Sequence, residues 1–245
     1  MQKVEMNFMG HLEELRKRLI ITVVAFLLSF GASFLFVEDI YNYLIRNLEN
    51  PLALLGPGDI LWVYMILAGV AGIAFTIPVL GYQTWKFVKP ALTLHEQKAS
   101  LAFIPALFLL FVCGISFGYF VLFPLVLSFL QGLAGDDFQT FFTVDRYFKF
   151  MINLTLPFGF LFEMPAVVMF LTKLGIINPV RLMKARKLSY FGLIVVSILI
   201  TPPDFVSDIL VILPLLLLYE ISISLSKFIY KKNLAQHGDG SLASF

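Results

Sequence analysis

Residues 11–36, HLEELRKRLIITVVAFLLSFGASFLF, decide the fold, because a dense run of ionisable side chains gives way there to an apolar run. No residue of 19–36 carries a charge. A helix of about 20 apolar residues is long enough to span the hydrocarbon core of a bilayer. The stretch therefore predicts a membrane-spanning helix whose N-terminal end lies among charges at the membrane surface.

The composition of the whole chain also indicates lipid as its solvent. Hydrophobic residues make up 59% of the chain and charged residues only 14%, and the mean hydropathy is +0.89. Soluble domains carry about 25% charged residues. The formal net charge of +2 is too small to indicate a nucleic-acid partner. The single cysteine, Cys113, lies in an apolar run and is interpreted as a packing residue.

Six apolar stretches follow one another along the chain, and each is predicted to be a helix, because helices satisfy their own backbone hydrogen bonds in lipid. The fold class is therefore an all-α integral membrane protein with six transmembrane helices. We expect one six-helix domain over residues 1–230 and a polar, disordered tail over 231–245. The six stretches are residues 19–36, 61–82, 100–130, 147–172, 188–201 and 205–226.

The basic residues are distributed unevenly between the connecting segments, which is the best topology signal in a membrane protein sequence. Both termini and the even-numbered loops are rich in Lys and Arg, so we expect both termini in the cytoplasm and the chain in the cytoplasmic (inner) membrane. The predicted cytoplasmic set is Lys3, Arg16, Lys17, Arg18, Lys86, Lys89, Lys98, Lys173, Arg181, Lys184, Arg186, Lys187, Lys227, Lys231 and Lys232. The predicted outer set is Arg46, Arg146 and Lys149.

The predicted spans differ in length. The fifth stretch, residues 188–201, reaches only about 20 Å as a helix, which is shorter than a hydrocarbon core of about 30 Å. Prolines inside other stretches free backbone carbonyls and bend helices. Bent helices of unequal length favour a concave arrangement. The first loop contributes Ile40, Tyr43, Leu44 and Leu48 at nearly helical spacing before Pro51, which predicts a short amphipathic helix on the outer face.

Motifs of nucleotide-binding proteins, proteases and hydrolases are missing, since the chain contains no GxxxxGK[ST], GxGxxG, HExxH or GxSxG. We therefore expect a protein that is not an enzyme and needs no cofactor. His95 next to Glu96 is weak evidence for a metal site, because the three histidines His11, His95 and His237 are scattered. No metal is predicted.

Two acidic residues fall inside predicted spans. A charge at the bilayer centre costs about 2.5 to 3.5 kcal/mol on insertion scales. Glu163 must therefore be protonated, paired with a polar or charged group, or in contact with water. One interpretation is a protonated Glu163 that is hydrogen-bonded to backbone, Asn153 or Thr155. The other is a polar contact for a partner helix, or a local water defect. Glu220 allows the same two interpretations, with the structural one favoured because it lies nearer the cytoplasmic end.

The carboxylates at the membrane surface also allow two interpretations. Glu13 with Lys17 and Glu14 with Arg18 stand at i, i+4 in the favourable order, which is typical of a solvated helix start. The predicted topology, however, places Glu14 and Glu96 on the same cytoplasmic face. Two carboxylates there suit a ligand with paired positive charges, and guanidinium groups bind carboxylates bidentately as ammonium groups cannot.

The strings HLEELRKRL (11–19), FVKPALTLHE (87–96), FEMPA (162–166) and TPPD (201–204) occur in this order across the six spans. Together they resemble TatC, the receptor subunit of the twin-arginine protein translocase, over residues 7 to 230. The resemblance implies a glove-shaped receptor with six helices and cytoplasmic termini. It also implies binding of twin-arginine signal peptides on folded cargo, assembly with single-span partners of the TatA and TatB type, self-association in the complex, and use of the proton-motive force.

The resemblance also implies roles for individual residues. Asp208 departs from relatives that carry a neutral amide there, so it is given no role. The implied set is Glu14 and Glu96 as signal-peptide carboxylates, Arg16 as the N-terminal arginine, Phe87 as the aromatic before the loop proline, Pro51 and Asp204 on the outer face, and Glu163 as the intramembrane acid.

Two rival classes of function are kept. A proton-coupled solute transporter would also use intramembrane acids, but it should show repeats or more charges along its pathway. A purely structural membrane subunit would tolerate alanine at both Glu14 and Glu96.

Overall fold

The computed structural model describes residues 2–46, 48, 51–89, 97, 101, 103–134, 141–202 and 204–237. These residues are helical apart from short connections and one isolated backbone bridge, which confirms the predicted all-α class. The helices are α1 (Gln2–Leu35), α2 (Val37–Ile45), α3 (Asp59–Val88), α4 (Phe103–Phe117), α5 (Phe123–Ala134), α6 (Val144–Leu161), α7 (Met164–Lys173), α8 (Pro179–Lys184), α9 (Arg186–Ile200) and α10 (Phe205–His237).

Five segments of the described chain are long and apolar enough to cross a membrane. Helix α9 is not among them, because its 15 residues reach only about 22 Å. This agrees with the short fifth stretch in the sequence. The five segments are Leu12–Leu35, Asp59–Val88, Phe103–Leu133, Val144–Lys173 and Phe205–Lys231.

The fourth predicted helix is divided. The sequence predicts one helix over residues 147–172, whereas α6 ends at Leu161 and α7 begins at Met164 after a turn at Phe162 and Glu163. Pro165 lies in the first turn of α7. Proline suits that position, because its fixed φ is already helical and its missing N–H would have no helical partner there. The turn therefore places Glu163 at a helix junction.

The chain divides into two compact units, and each has its own packing. Unit 1 contains Met1–Leu109 and Asp136–Ile152, and unit 2 contains Leu110–Gly135 and Asn153–Phe245. In unit 1, α1 packs against α3, where a Cβ added to Gly72 would lie 3.0 Å from the Phe30 Cα. Glycine therefore allows the two helix backbones to approach closely at this point.

The loop between α1 and α3 in unit 1 is held by α2 and by a backbone bridge. Helix α2 confirms the predicted helix in this loop. Its Tyr41 stacks on Phe148 at a centroid distance of 5.3 Å, while Tyr43, expected on the apolar face, is exposed. Further along, Ala53 N donates to Phe142 O and Val144 N donates to Ala53 O, both at 3.0 Å. These hydrogen bonds fix the loop to the start of α6.

In unit 2, the third span contains a π-helical turn over Gly118–Leu122 between α4 and α5. Here Gly114 and Gly118, four residues apart, face α6. A Cβ on Gly118 would lie 2.7 Å from Thr155 Cα, and one on Gly114 would lie 2.8 Å from Gly159 Cα. Small residues at this spacing allow two membrane helices to pack backbone to backbone.

Helices α7 and α10 form the other packed pair of unit 2. Thr172 Oγ1 and Ser226 Oγ lie 2.7 Å apart in a buried hydrogen bond, and Val211, Leu215 and Ile223 of α10 are buried. Helix α10 continues to His237, so residues 231–237 are helical although the sequence predicts a disordered tail from residue 231. Residues 238–245 lie outside the described residues.

Candidate functional site

The start of the first span meets the end of the second through Arg18. Arg18 Nη2 donates to Glu14 Oε1, one helical turn earlier, and also to the backbone oxygen of Lys86 at 3.3 Å. The Arg18 side chain is only 13% exposed, whereas that of Glu14 is 36% exposed. The guanidinium is therefore mostly enclosed, while the carboxylate remains accessible from the surface.

The local sequence explains this arrangement. Glu14 and Arg18 are four residues apart on α1, so their side chains lie on the same face in the favourable order. Lys86 lies in the last turn of α3, where backbone carbonyls have no partner within the helix. A cation supplies the missing hydrogen bond and interacts favourably with the negative end of the helix dipole.

The last turns of α3 also carry aromatic side chains and a further cation. Trp85 stacks with Tyr82 at a centroid distance of 5.9 Å, and Lys89 Nζ lies 5.3 Å from the centre of the Trp85 ring. Phe87 follows Lys86 and is half-buried, whereas Arg16 is exposed on α1. Of the predicted signal-peptide residues, Glu14, Arg16 and Phe87 are described. Glu96, like His95, lies outside the described residues.

Glu163 occupies the turn between α6 and α7. Both of its carboxylate oxygens are buried, and neither has a hydrogen-bond partner among the described residues. The predicted hydrogen bond to Asn153 or Thr155 is therefore not formed. Asn153 is exposed, and Thr155 packs against Gly118. An unpaired buried carboxyl inside a span is costly, so this position needs a proton, water or a partner group.

Glu220, the second intramembrane acid, is fully engaged. Arg186 Nη2 lies 2.7 Å from Glu220 Oε2, and the Tyr190 hydroxyl donates to Glu220 Oε1. Arg186 and Tyr190 are both in α9, so the carboxylate joins α9 to α10. This arrangement favours the structural interpretation of Glu220.

The two residues expected on the outer face have separate surroundings. Asp204 Oδ1 accepts a hydrogen bond from Ser207 N at 2.7 Å, so Asp204 caps the N-terminus of α10. Asp208, to which the family resemblance assigns no role, accepts a hydrogen bond from Thr201 Oγ1. Pro51 is exposed and precedes the Ala53 bridge in unit 1.

The sequence predicts only part of the contacts that these residues make. The i, i+4 spacing predicts the contact of Arg18 with Glu14, but not its second contact with α3. The sequence does not predict the partners of Glu220, because it indicates Arg186 only as a topology signal and Tyr190 only as a residue of an apolar stretch. Within the described ranges, no group of three His, Cys, Asp or Glu side chains could hold a metal ion.

The comparisons with known proteins agree on a family. The family model described as Sec-independent protein translocase protein (TatC) matches residues 10–214. The chain is 64% identical over 236 residues to TatCd of Bacillus subtilis (strain 168), covering 96% of this chain and 98% of that protein. It is 39% identical over 230 residues to TatC of Aquifex aeolicus (strain VF5), covering 91% of this chain and 95% of that protein.

A solved structure matches as well. The crystal structure of the twin-arginine translocase receptor TatC superposes with a TM-score of 0.78 at 38% identity, covering 89% of this chain and 99% of that chain. The chain therefore belongs to the TatC family of Sec-independent protein translocase proteins.

Proposed function

We propose that this chain is the receptor of a twin-arginine translocase and binds the paired arginines of signal peptides at its cytoplasmic face. Glu14 and Glu96 would accept the two guanidinium groups. Phe87 would line the site, and Arg16 would set the local charge. The observation that carries the proposal is the position of Glu14, a partly exposed carboxylate at the start of a span and beside the end of α3.

The chemistry of Glu14 supports this choice of ligand. Its carboxylate already accepts a hydrogen bond from one guanidinium, that of Arg18. A carboxylate has about four acceptor positions, so it can hold more than one donor. A planar guanidinium offers two parallel N–H groups to such an acceptor, whereas an ammonium acts as a point charge. A site built on carboxylates therefore favours Arg-Arg over Lys-Lys.

The remaining expectations for the family complete the proposal. Helix α9 is the short fifth of six spans, both termini lie in the cytoplasm, and the chain resides in the cytoplasmic membrane. Single-span partners of the TatA and TatB type, and further copies of this chain, would assemble around it. The buried carboxyl of Glu163, which has no hydrogen-bond partner among the described residues, supports a polar contact between this position and a partner span.

The receptor role is tested by measuring peptide affinity for the purified protein in detergent. One signal peptide carries Arg-Arg and its matched peptide carries Lys-Lys. We expect the native protein to prefer Arg-Arg and the Glu14→Ala, Glu96→Ala double variant to lose about tenfold in affinity, because charge-assisted hydrogen bonds are removed.

Glu13→Ala provides the matched control, since Glu13 is an exposed carboxylate next to Glu14 on α1. It removes one carboxylate, as Glu14→Ala alone does, without removing a proposed ligand, and it should leave the affinity unchanged. Equal affinity of both peptides for the native protein, or an equal loss with Glu13→Ala, would reject the guanidinium site.

The contact at Glu163 is tested separately. Photocross-linkers placed at Phe162 and Val167 in intact membranes should capture a TatA- or TatB-type partner, and Glu163→Ala should reduce the yield. Capture of lipid alone from both positions would argue against a partner span at this acid.

A further inference from the structure

We propose that one end of unit 2 is a binding surface for the headgroups of anionic phospholipids. This surface, the basic platform, consists of Arg181, Lys184, Arg186, Lys187, Lys227 and Lys231. It involves none of the residues placed in the signal-peptide site, and it requires no assignment of the termini to a side of the membrane.

Specific contacts bring the elements of the basic platform together. The Tyr219 hydroxyl donates to Leu182 O at 2.9 Å, which ties the short helix α8 to α10. The ion pair of Arg186 and Glu220 ties the start of α9 to the same helix. The hydrogen bond between Thr172 and Ser226 fixes the end of α7 beside the last turns of α10. The cations of α8 and α9 therefore lie beside the same helix, α10, that carries Lys227 and Lys231 in its later turns.

The described part of unit 2 offers little negative charge to compensate the basic platform. Among the described residues at this end of unit 2, Glu220 is the carboxylate, and it is already bound by Arg186 and Tyr190. Asp204 and Asp208 lie at the opposite end of α10. The side chains of Arg181, Lys184, Lys187, Lys227 and Lys231 are exposed. An anionic ligand would therefore meet several accessible cations that Glu220 does not neutralise.

The position of the basic platform at the ends of candidate membrane spans favours a lipid ligand over a soluble partner. Two candidate spans end here, Val144–Lys173 and Phe205–Lys231. The six-residue helix α8 connects the end of the first to the start of α9. Cations at the ends of spans lie at the level of the phosphate groups, and clusters of basic residues there bind anionic lipids.

Exposed apolar residues are neighbours of the cations in the sequence, on the same short stretches of helix. Val180 is 46% exposed next to Arg181, Leu188 is 75% exposed next to Lys187, and Phe228 is 69% exposed next to Lys227. A phospholipid satisfies both types of side chain, because its phosphate lies beside the first methylene groups of its acyl chains. An acidic soluble protein or free phosphate would leave these apolar groups in water.

The test uses the full chain, stripped of lipid in neutral detergent, and native mass spectrometry with added phosphatidylglycerol or phosphatidylcholine. We expect phosphatidylglycerol to bind about tenfold more tightly than phosphatidylcholine, since each cation near the headgroups adds electrostatic attraction. The triple variant Lys184→Gln, Lys187→Gln, Lys231→Gln should remove this preference. All three side chains are exposed, so the fold should be retained.

The matched control is the triple variant Arg46→Gln, Arg146→Gln, Lys149→Gln, which removes the same charge from exposed positions of unit 1. It should keep the preference. Equal binding of both lipids to the native protein, or an equal loss in the control, would overturn the proposal. Displacement of phosphatidylglycerol by inorganic phosphate or by a polyglutamate peptide at equal concentration would also overturn it, in favour of a free-anion or acidic-protein site.

Discussion

Arg186 and Glu220, 34 residues apart in the chain, form an ion pair in which Arg186 Nη2 lies 2.7 Å from Glu220 Oε2. The Arg186 side chain is 40% exposed and the Glu220 side chain is 38% exposed. Partly exposed ion pairs contribute little by attraction alone, but this one also receives the Tyr190 hydroxyl. The pair therefore fastens the N-terminal end of the short helix α9 to α10.

Replacing Arg186 by Gln should lower the free energy of unfolding by up to about 1 kcal/mol, because the pair is only half-buried. Unfolding in mixed detergent micelles measures this change. The double variant Arg186→Gln, Glu220→Gln should regain part of the loss, since no uncompensated charge remains. Arg181→Gln removes an exposed cation of α8 that forms no ion pair with Glu220. An equal loss there would mean that overall charge, rather than the pair, determines stability.

Replacing Gly118 by Ala should destabilise unit 2, because the added Cβ would lie 2.7 Å from Thr155 Cα. The α6 backbone would have to move, and overpacking of this kind costs about 1 to 3 kcal/mol. Thermal unfolding in detergent provides the measurement. Gly192→Ala is the matched control, since nothing lies within 4 Å of its added Cβ. That change should be neutral or slightly stabilising, so similar losses at both glycines would contradict the packing argument.

Local patterns in the sequence predicted local structure well. The apolar stretches gave the long helices, the length of residues 188–201 gave a short α9, and the i, i+4 spacing gave the contact of Glu14 with Arg18. Each of these depends on neighbours within a few turns. The break at Glu163 is the exception, because Pro165 is compatible both with a bend and with a new helix start.

Contacts between distant segments could not be predicted in the same way. The donation of Arg18 to Lys86 O and the engagement of Glu220 by Arg186 depend on how separate helices pack. A single sequence places each of these residues on a helix but carries no information on which helices are neighbours. The candidate site was therefore predictable as a set of residue types, while its geometry on α1 and α3 was not.

The buried hydrogen bond between Thr172 and Ser226 should show energetic coupling between α7 and α10. Thr172 Oγ1 also lies 2.7 Å from Val168 O, to which it donates, so Ser226 supplies the proton between the two hydroxyls. Thr172→Val and Ser226→Ala should each cost about 0.5 to 1.5 kcal/mol in unfolding free energy. The double variant should cost less than the sum of both, because one hydrogen bond is shared. Strict additivity would mean that the hydroxyls do not interact.

Asp204 should contribute to stability through its geometry as the N-cap of α10. Its Oδ1 accepts a hydrogen bond from Ser207 N at 2.7 Å, and an asparagine oxygen can accept the same bond. Asp204→Ala should therefore lower the free energy of unfolding by about 0.5 to 2 kcal/mol, whereas Asp204→Asn should lower it much less. Thermal unfolding of both variants in detergent measures the difference.

Protein export by the same two variants separates the cap from the charge of Asp204. If the carboxylate serves only as a cap, Asp204→Asn should export cargo normally and Asp204→Ala should export less in proportion to its lost stability. Export that fails with a stable Asp204→Asn protein would instead require the negative charge itself. The second oxygen supplies a reason to test this, because Asp204 Oδ2 is buried without a hydrogen-bond partner among the described residues. A buried carboxylate oxygen of this kind is stabilised only when a donor from outside the described chain, such as water or a partner protein, reaches it.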